Sequence, residues 1–248
     1  MTEHVYIPDT QVKDGVDTKH IVAAANYICA KKPDTIILAG DWWDFPSLSS
    51  YEKKGSKYFE GKRYMLDVEA GNDAMADFMR PISRKRGYNP RIVLTMGNHE
   101  YRVERALNEN PILEDAIGYH DLYIPKPIEV IPFLEPIEID GILYCHYFTN
   151  PQSLMRGVLG GTIDNRLNKI KQSFTMGHQQ TLAWGCQYTT TGRRIIGCVA
   201  GAFYTHHEDY QGPQGQNYWR GIIYKHEVKN GEYDPMMLSV EYLLKEWL

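Results

Sequence analysis

Two short apolar runs constrain this chain more than any other feature. Thr35–Leu38 and Arg91–Leu94 each end in a glycine followed by a polar cluster. The first opens into Ala39-Gly40-Asp41-Trp42-Trp43-Asp44, the second into Thr95-Met96-Gly97-Asn98-His99-Glu100. Runs closed in this way read as buried parallel strands whose C-terminal ends open into loops. In an open α/β sheet that edge is where ligands bind. Asp41, Asp44, Asn98 and His99 therefore share one rim. A carboxylate, an amide and an imidazole together suit a divalent metal with an acid/base group beside it. Gly-Asp and Gly-Asn are also ordinary turn formers, but two such clusters at successive strand ends weigh against turns alone.

The same pattern recurs along the chain. His4 to Pro8 is a strand candidate running into Asp9-Thr10-Gln11. Helical spacing of Ile21, Val22, Ala25 and Ile28 starts near Asp17 or Thr18 and stops at Lys31-Lys32-Pro33, so the first two strands frame a βαβ unit with a right-handed crossover. A long helix is expected from about Arg63 to Arg86, kinked or divided at Pro81. Another begins at Tyr101, with Arg102 and Arg105 in its first turns. These can meet a phosphate or simply pair with Glu104 and Glu109.

Further on, Glu138 to His146 reads as a hairpin turning at Asp140-Gly141, with His146 at the end of its second strand. Ser173–Met176 is one more strand, with Gly177-His178-Gln179-Gln180 at its tip. Gln187–Ala200, and then Tyr218–Val228 with Met236–Leu244, read as antiparallel pairs that build a second sheet. The expected architecture is α/β, a four-layer α/β/β/α sandwich of two mixed sheets flanked by helices. It is read as one domain over 1–248, with insertions of about 46–90 and 147–172 over the site.

Composition narrows the partners. The 248 residues are 43% hydrophobic and 23% charged, with a net charge of −4, so there is no global attraction to nucleic acid or membrane. A polyanionic substrate would have to be held by local basic patches or by metal. One such patch is Lys53, Lys54, Lys57, Lys62 and Arg63 among Tyr51, Tyr58, Phe59 and Tyr64, which suits a phosphate backbone and stacked bases as well as a solvated surface. The loop Phe148–Lys171 is long enough to cover a site. Cys29, Cys145, Cys186 and Cys198 are scattered and read as buried thiols. No apolar run approaches the roughly 18 residues of a membrane span, and the N-terminus lacks the regions of a signal peptide. A cytoplasmic protein without membrane contact is expected, and homo-oligomerisation is left open.

Taken in order, Asp9-Thr10-Gln11, Gly40 to Asp44, Gly97 to Glu100, His146 and Gly177 to Gln180 resemble the five motifs of the calcineurin-like metallophosphoesterase superfamily: D-x-H, G-D-x-x-D, G-N-H-[ED], a lone H after a strand, and G-H-x-H. The resemblance implies that fold and two divalent ions bridged by Asp41, one taking Asn98, His146 and His178, the other Asp9, Gln11 and Gln180. It implies His99 as general acid or charge stabiliser, oriented by Asp44. Both departures from the pattern, Gln11 and Gln180, replace histidines of one ion. With Asp9 and Asp41 they form an all-oxygen set that suits Mn²⁺, Mg²⁺ or Ca²⁺ better than Zn²⁺ and binds more weakly; for the centre as a whole Mn²⁺ is expected, with Mg²⁺, Zn²⁺, Fe or Ni as further options. His206, His207 or Asp209 folding back is another way to complete it.

Phosphoprotein phosphatases of this superfamily extend the second motif to G-D-x-x-D-R-G, whereas here Asp44 is followed by Phe45-Pro46. The D-T-Q and G-H-x-Q variants are similar to phage-type members likened to repair exonucleases, which would place the protein in a host-cell cytoplasm. The expected activity is a phosphodiesterase or nuclease acting on nucleic acid or nucleotides, with Arg102 and Arg105 as substrate contacts. The alternatives are a phosphomonoesterase or cyclic-nucleotide phosphodiesterase, and a catalytically silent scaffold.

Overall fold

Apolar strands that cannot face water on either side need cover on both, and the chain supplies it in four layers. The computed structural model describes residues 1–50, 56–150, 152–153, 157–207 and 217–248. Its first half runs β1 (Thr2–Ile7), α1 (Lys19–Lys31), β2 (Thr35–Leu38), α2 (Tyr64–Arg84), β3 (Arg91–Thr95), α3 (Tyr101–Glu109) and β4 (Ile128–Ile131). Then come β5 (Ile137–Ile139), β6 (Ile142–Tyr144), α4 (Ile163–Ile170), β7 (Ser173–Met176), β8 (Leu182–Tyr188) and β9 (Arg194–Ala200). The chain closes with β10 (Gly221–Lys229), β11 (Glu232–Ser239) and α5 (Val240–Trp247).

One sheet has the order β11-β10-β1-β2-β3-β4 and the other β5-β6-β7-β9-β8, and both are mixed. Tyr6, Ile37, Ala39 and Val93 of the first pack against Ile142, Tyr144, Ile196 and Cys198 of the second. On the outer side of the first sheet, Val5, Ile36 and Leu94 pack with Ile21, Ile28, Phe78 and Leu243 of the helices. On the outer side of the second, Phe174 and Val199 pack with Ile163 and Leu167 of α4. This is the expected arrangement of two mixed sheets flanked by helices. Among the described residues no helix is long and apolar enough to cross a membrane.

Three expectations change. The hairpin β10–β11 returns to the first sheet, where β10 pairs antiparallel with β1, instead of extending the second. Its last part is not strand: β11 ends at Ser239, whose hydroxyl accepts the Tyr242 amide at 3.2 Å and starts α5. Pro81 sits inside α2 without dividing it. Proline lacks a donor and displaces one carbonyl bond, a loss that the apolar face Val68, Met75, Phe78 and Ile82, buried against the sheet, outweighs.

Tandem tryptophans fix the tip of β2. Trp42 and Trp43 are buried and donate their indole N–H groups to α2, to Gly71 O at 3.0 Å and Asn72 Oδ1 at 3.1 Å. Backbone bonds from Gln11 N to Asp41 O (2.7 Å), Val12 N to Trp42 O (2.8 Å) and Asp44 N to Val12 O (2.9 Å) lace the β1 and β2 tips together.

Candidate metal centre

Five tips meet at the C-terminal edge of the facing sheets. Asp41, His146 and His178 each bring one ligand atom to within 4.8 Å of the others, and this group can hold a metal ion. Asn98 joins them, its Oδ1 lying 2.9 Å from His146 Nε2. His146 Nδ1 lies 2.8 Å from the carbonyl of Ala39, which takes the proton there and leaves Nε2 aimed at the Asp41 carboxylate, 3.3 Å away.

The two aspartates are built alike. Asp41 Oδ1 accepts the backbone N–H of His99 at 2.9 Å, and Asp9 Oδ1 accepts that of His178, also at 2.9 Å. Each therefore turns its second oxygen inward. The close approach explains the motif glycines: a Cβ on Gly97 would stand 2.2 Å from Asp41 Oδ1, and one on Gly177 would stand 2.3 Å from Asp9 Oδ1. Gln11, Asp41, His178 and Gln180 hold positive φ, of 43°, 50°, 66° and 58°. Left-handed backbone costs a non-glycine residue about 1–3 kcal/mol and gathers at functional sites.

The Asp9 side of the centre has acceptors to spare. Asp9 Oδ2 and Gln11 Oε1 are buried and meet no hydrogen-bond donor. Buried oxygens without a donor fit a cation. Gln180 Oε1 accepts the Tyr204 hydroxyl at 2.7 Å, which holds the amide in place. His206 stacks on Tyr204 with centroids 4.7 Å apart, while His207 is exposed and Asp209 lies outside the described residues.

Electrostatics separate the two aspartates. Burial raises the pKa of both, but His146 and then His99 outweigh it at Asp41 and hold that carboxyl well below its usual range. At Asp9 burial prevails, reinforced by the charge of Asp41, and the carboxyl rises. His178 is pulled down to about 4 by burial and then by His146. A low imidazole pKa keeps the lone pair available to a metal.

His99 stands beside this group without belonging to it. Its Nδ1 lies 2.6 Å from Asp44 Oδ1, an oblique contact, and its Nε2 lies 3.0 Å from Arg102 Nη2. A guanidinium has no acceptor, so Nε2 carries the lone pair and Nδ1 the proton. Arg102 is buried and gives its other nitrogen to the carbonyls of Asp44 (2.8 Å) and Phe45 (3.1 Å). Burial pulls the His99 pKa down and Arg102 adds to that, while Asp41 and Asp44 pull it up and prevail.

The expected substrate contacts thus divide. Arg102 lines the cleft and orients His99. Arg105 Nη2 instead donates to Leu48 O at 2.9 Å and ties α3 to the turn at Pro46–Leu48, and it is not among the described residues lining the cleft. Of the basic-aromatic stretch, Tyr51, Lys53 and Lys54 lie outside the described residues. Tyr64 stacks on Phe45 and bonds Asp121, while Lys62 and Arg63 reach the cleft.

Sequence reasoning missed several contributors. Glu100 is fully buried and accepts four backbone N–H groups: Asp41 (2.9 Å) and Gly97 (2.8 Å) on Oε2, Trp42 (2.6 Å) and Trp43 (3.1 Å) on Oε1. It clamps the two central tips, and its only signal was its place after His99. Lys13 lies 3.4 Å from Asp44 and lines the cleft. Asp67 also lines it, raised to about 6 by burial. The cleft encloses about 780 Å³, and among the described residues its lining mixes the carboxylates Asp14, Asp41, Asp44, Glu60 and Asp67 with the cations Lys13, Lys62, Arg63 and Arg102.

No protein-family model and no curated protein matches this chain. Among solved structures that match, one aligns with 96% of this chain and 99% of its own at 9% identity and a TM-score of 0.39. A likeness at that level assigns neither family nor activity.

Proposed function

We propose that the protein is a metal-dependent phosphodiesterase that acts as a nuclease. The observation that carries this reading is an Asp-His-His group with Asn98 at its side and a non-ligating histidine held between a carboxylate and a guanidinium. The stronger ion would take Asn98, His146, His178 and Asp41, and the weaker one Asp9, Gln11, Gln180 and the same Asp41. The oxygen-rich second set favours Mn²⁺. Divalent ions there supply a clamp on the phosphoryl oxygens and a water activated for in-line attack.

The remaining roles follow from the chain. Asp41 would belong to both sets and hold the two ions next to each other. A phosphoryl oxygen arriving at His99 takes over the Arg102 Nη2 contact, so the guanidinium offsets its charge. With Nε2 released from Arg102, His99 takes up a proton there from solvent, which its raised pKa favours, and, steadied by Asp44, gives that proton to the leaving oxygen. Lys13, Lys62 and Arg63 along the cleft suit a substrate with more than one phosphate, which favours a diester chain over a monoester.

Turnover of bis-p-nitrophenyl phosphate against p-nitrophenyl phosphate in Mn²⁺ tests the reading. Preference for the diester supports it. Preference for the monoester makes the protein a phosphomonoesterase, and silence with every metal makes it a scaffold.

A further inference from the structure

From the imidazoles of the candidate metal group a row of aromatic rings runs to a partly exposed tyrosine. Tyr147 lies 4.6 Å from His178 and 5.8 Å from His146, centroid to centroid. Phe133 meets Tyr147 edge-on at 5.5 Å, and Tyr101 stacks on Phe133 at 5.0 Å with 30° between planes. The three come from separate connections: the first residue of α3, the loop after β4 and the loop after β6. Phe133 and Tyr147 are half-buried, and Tyr101 is 38% exposed. The row begins at two metal-binding imidazoles and ends at solvent.

We infer that Tyr101, Phe133 and Tyr147 form a stacking platform for the base of the nucleotide whose phosphate lies at the Asp41–His146–His178 group. The inference rests on the phosphodiesterase reading and narrows it to single-stranded or frayed nucleic acid, because a base inside a duplex has no free face to stack. Two features around the centre agree: cations at Lys13, Lys62 and Arg63 for the backbone, and apolar rings for a base. Stacking tolerates any base, since each has a π-face. The platform therefore gives affinity for unpaired strands without sequence preference.

The test uses a short single strand with hydrolysis-resistant phosphorothioate linkages, carrying 2-aminopurine or an abasic residue at one position, bound to the Mn²⁺-loaded protein. Quenching of the 2-aminopurine and about tenfold or greater preference for the base-bearing strand are expected. Tyr101→Ala and Phe133→Leu should each remove most of the quenching and preference, and Tyr101→Phe should keep both. Tyr101→Ala, at an exposed position, keeps the test open should changes at Phe133 unfold the protein. Equal binding of base-bearing and abasic strands, or quenching that survives Tyr101→Ala, would overturn the platform. Turnover of bis-p-nitrophenyl phosphate by the wild type separates the two levels. If that diester is cleaved without base preference, only the platform fails; if base preference is seen with no phosphoester cleaved, only the phosphodiesterase reading fails.

Discussion

Two polar clusters are buried at the inner faces of the sheets, one built around a lysine and the other around carboxylates. Lys225 is fully buried, donates to Tyr144 at 3.1 Å and Thr175 at 2.5 Å, and faces the rings of Tyr144 (4.4 Å), Tyr233 (4.5 Å) and Tyr6 (5.9 Å). His4 extends this network from Tyr144 (2.7 Å) to Asp140 (3.0 Å) at the surface. At the strand tips the balance is reversed. Carboxylates and amides converge, two of their oxygens meet no donor, and four residues there hold left-handed backbone. The cage leaves two ring hydroxyls, of Tyr6 and Tyr233, without a partner, whereas the tips leave a carboxylate and an amide oxygen unpaired next to the Asp41–His146–His178 group. Oxygen acceptors without a donor, held on left-handed backbone, are arranged for a cation that arrives from outside. Changes at the tips should thus affect chemistry, and changes in the lysine cage should affect stability.

The sharpest way to break that division is Asp41→Asn. It should cut diester turnover by about a thousandfold or more and abolish tight metal binding while the protein stays folded, measured by steady-state rates, calorimetric Mn²⁺ titration and circular dichroism. His99→Ala comes next, with turnover down about a hundredfold to a thousandfold and Mn²⁺ affinity unchanged. Loss of metal in that variant would make His99 a ligand and erase its separate role. Gln11→His with Gln180→His sharpens the contrast within the centre itself. Titration of the wild type should show one tight and one weak Mn²⁺ event, and the double variant should tighten the weak one by about tenfold or more and gain Zn²⁺ binding.

The smallest effect belongs to the cage. Burial draws the Lys225 ammonium down to about 7 from 10.5, with Cys198 opposing. Between those values the unfolded chain holds a proton that the folded protein releases, so stability rises with pH across this window and is lost as pH falls toward 7. The slope approaches about 1.4 kcal/mol per pH unit. Denaturant unfolding at pH 7.5 to 9.5 should show that rise, and Lys225→Met should flatten it with diester turnover at pH 8 unaltered. A fall in turnover matching that of His99→Ala would join the two clusters into one functional unit.

Much of the centre was legible because each tip writes the same local grammar, an apolar run, a glycine, then donors. The reason for the glycine needed coordinates, since the Asp41 and Asp9 carboxylates that crowd Gly97 and Gly177 come from other tips. The placement of β10 and β11 was not readable, because pairing β10 with β1 joins opposite ends of the chain and either sheet accepts an antiparallel hairpin. α5 hid in a segment where Val240, Leu243 and Leu244 continue the apolar character of the strand before it. The tasks of Arg102 and Arg105 turn on carbonyls contributed by residues 44, 45 and 48, far away in sequence. Lys225 left no trace, as a lysine in a strand normally marks a solvated face.

Anomalous diffraction from crystals grown with Mn²⁺, recorded above and below the manganese edge, locates the ion itself. A peak is expected within coordination distance of Asp41, Asn98, His146 and His178, with a weaker one toward Asp9 and Gln11. A manganese peak elsewhere, with none among those four side chains, would contradict the proposed centre.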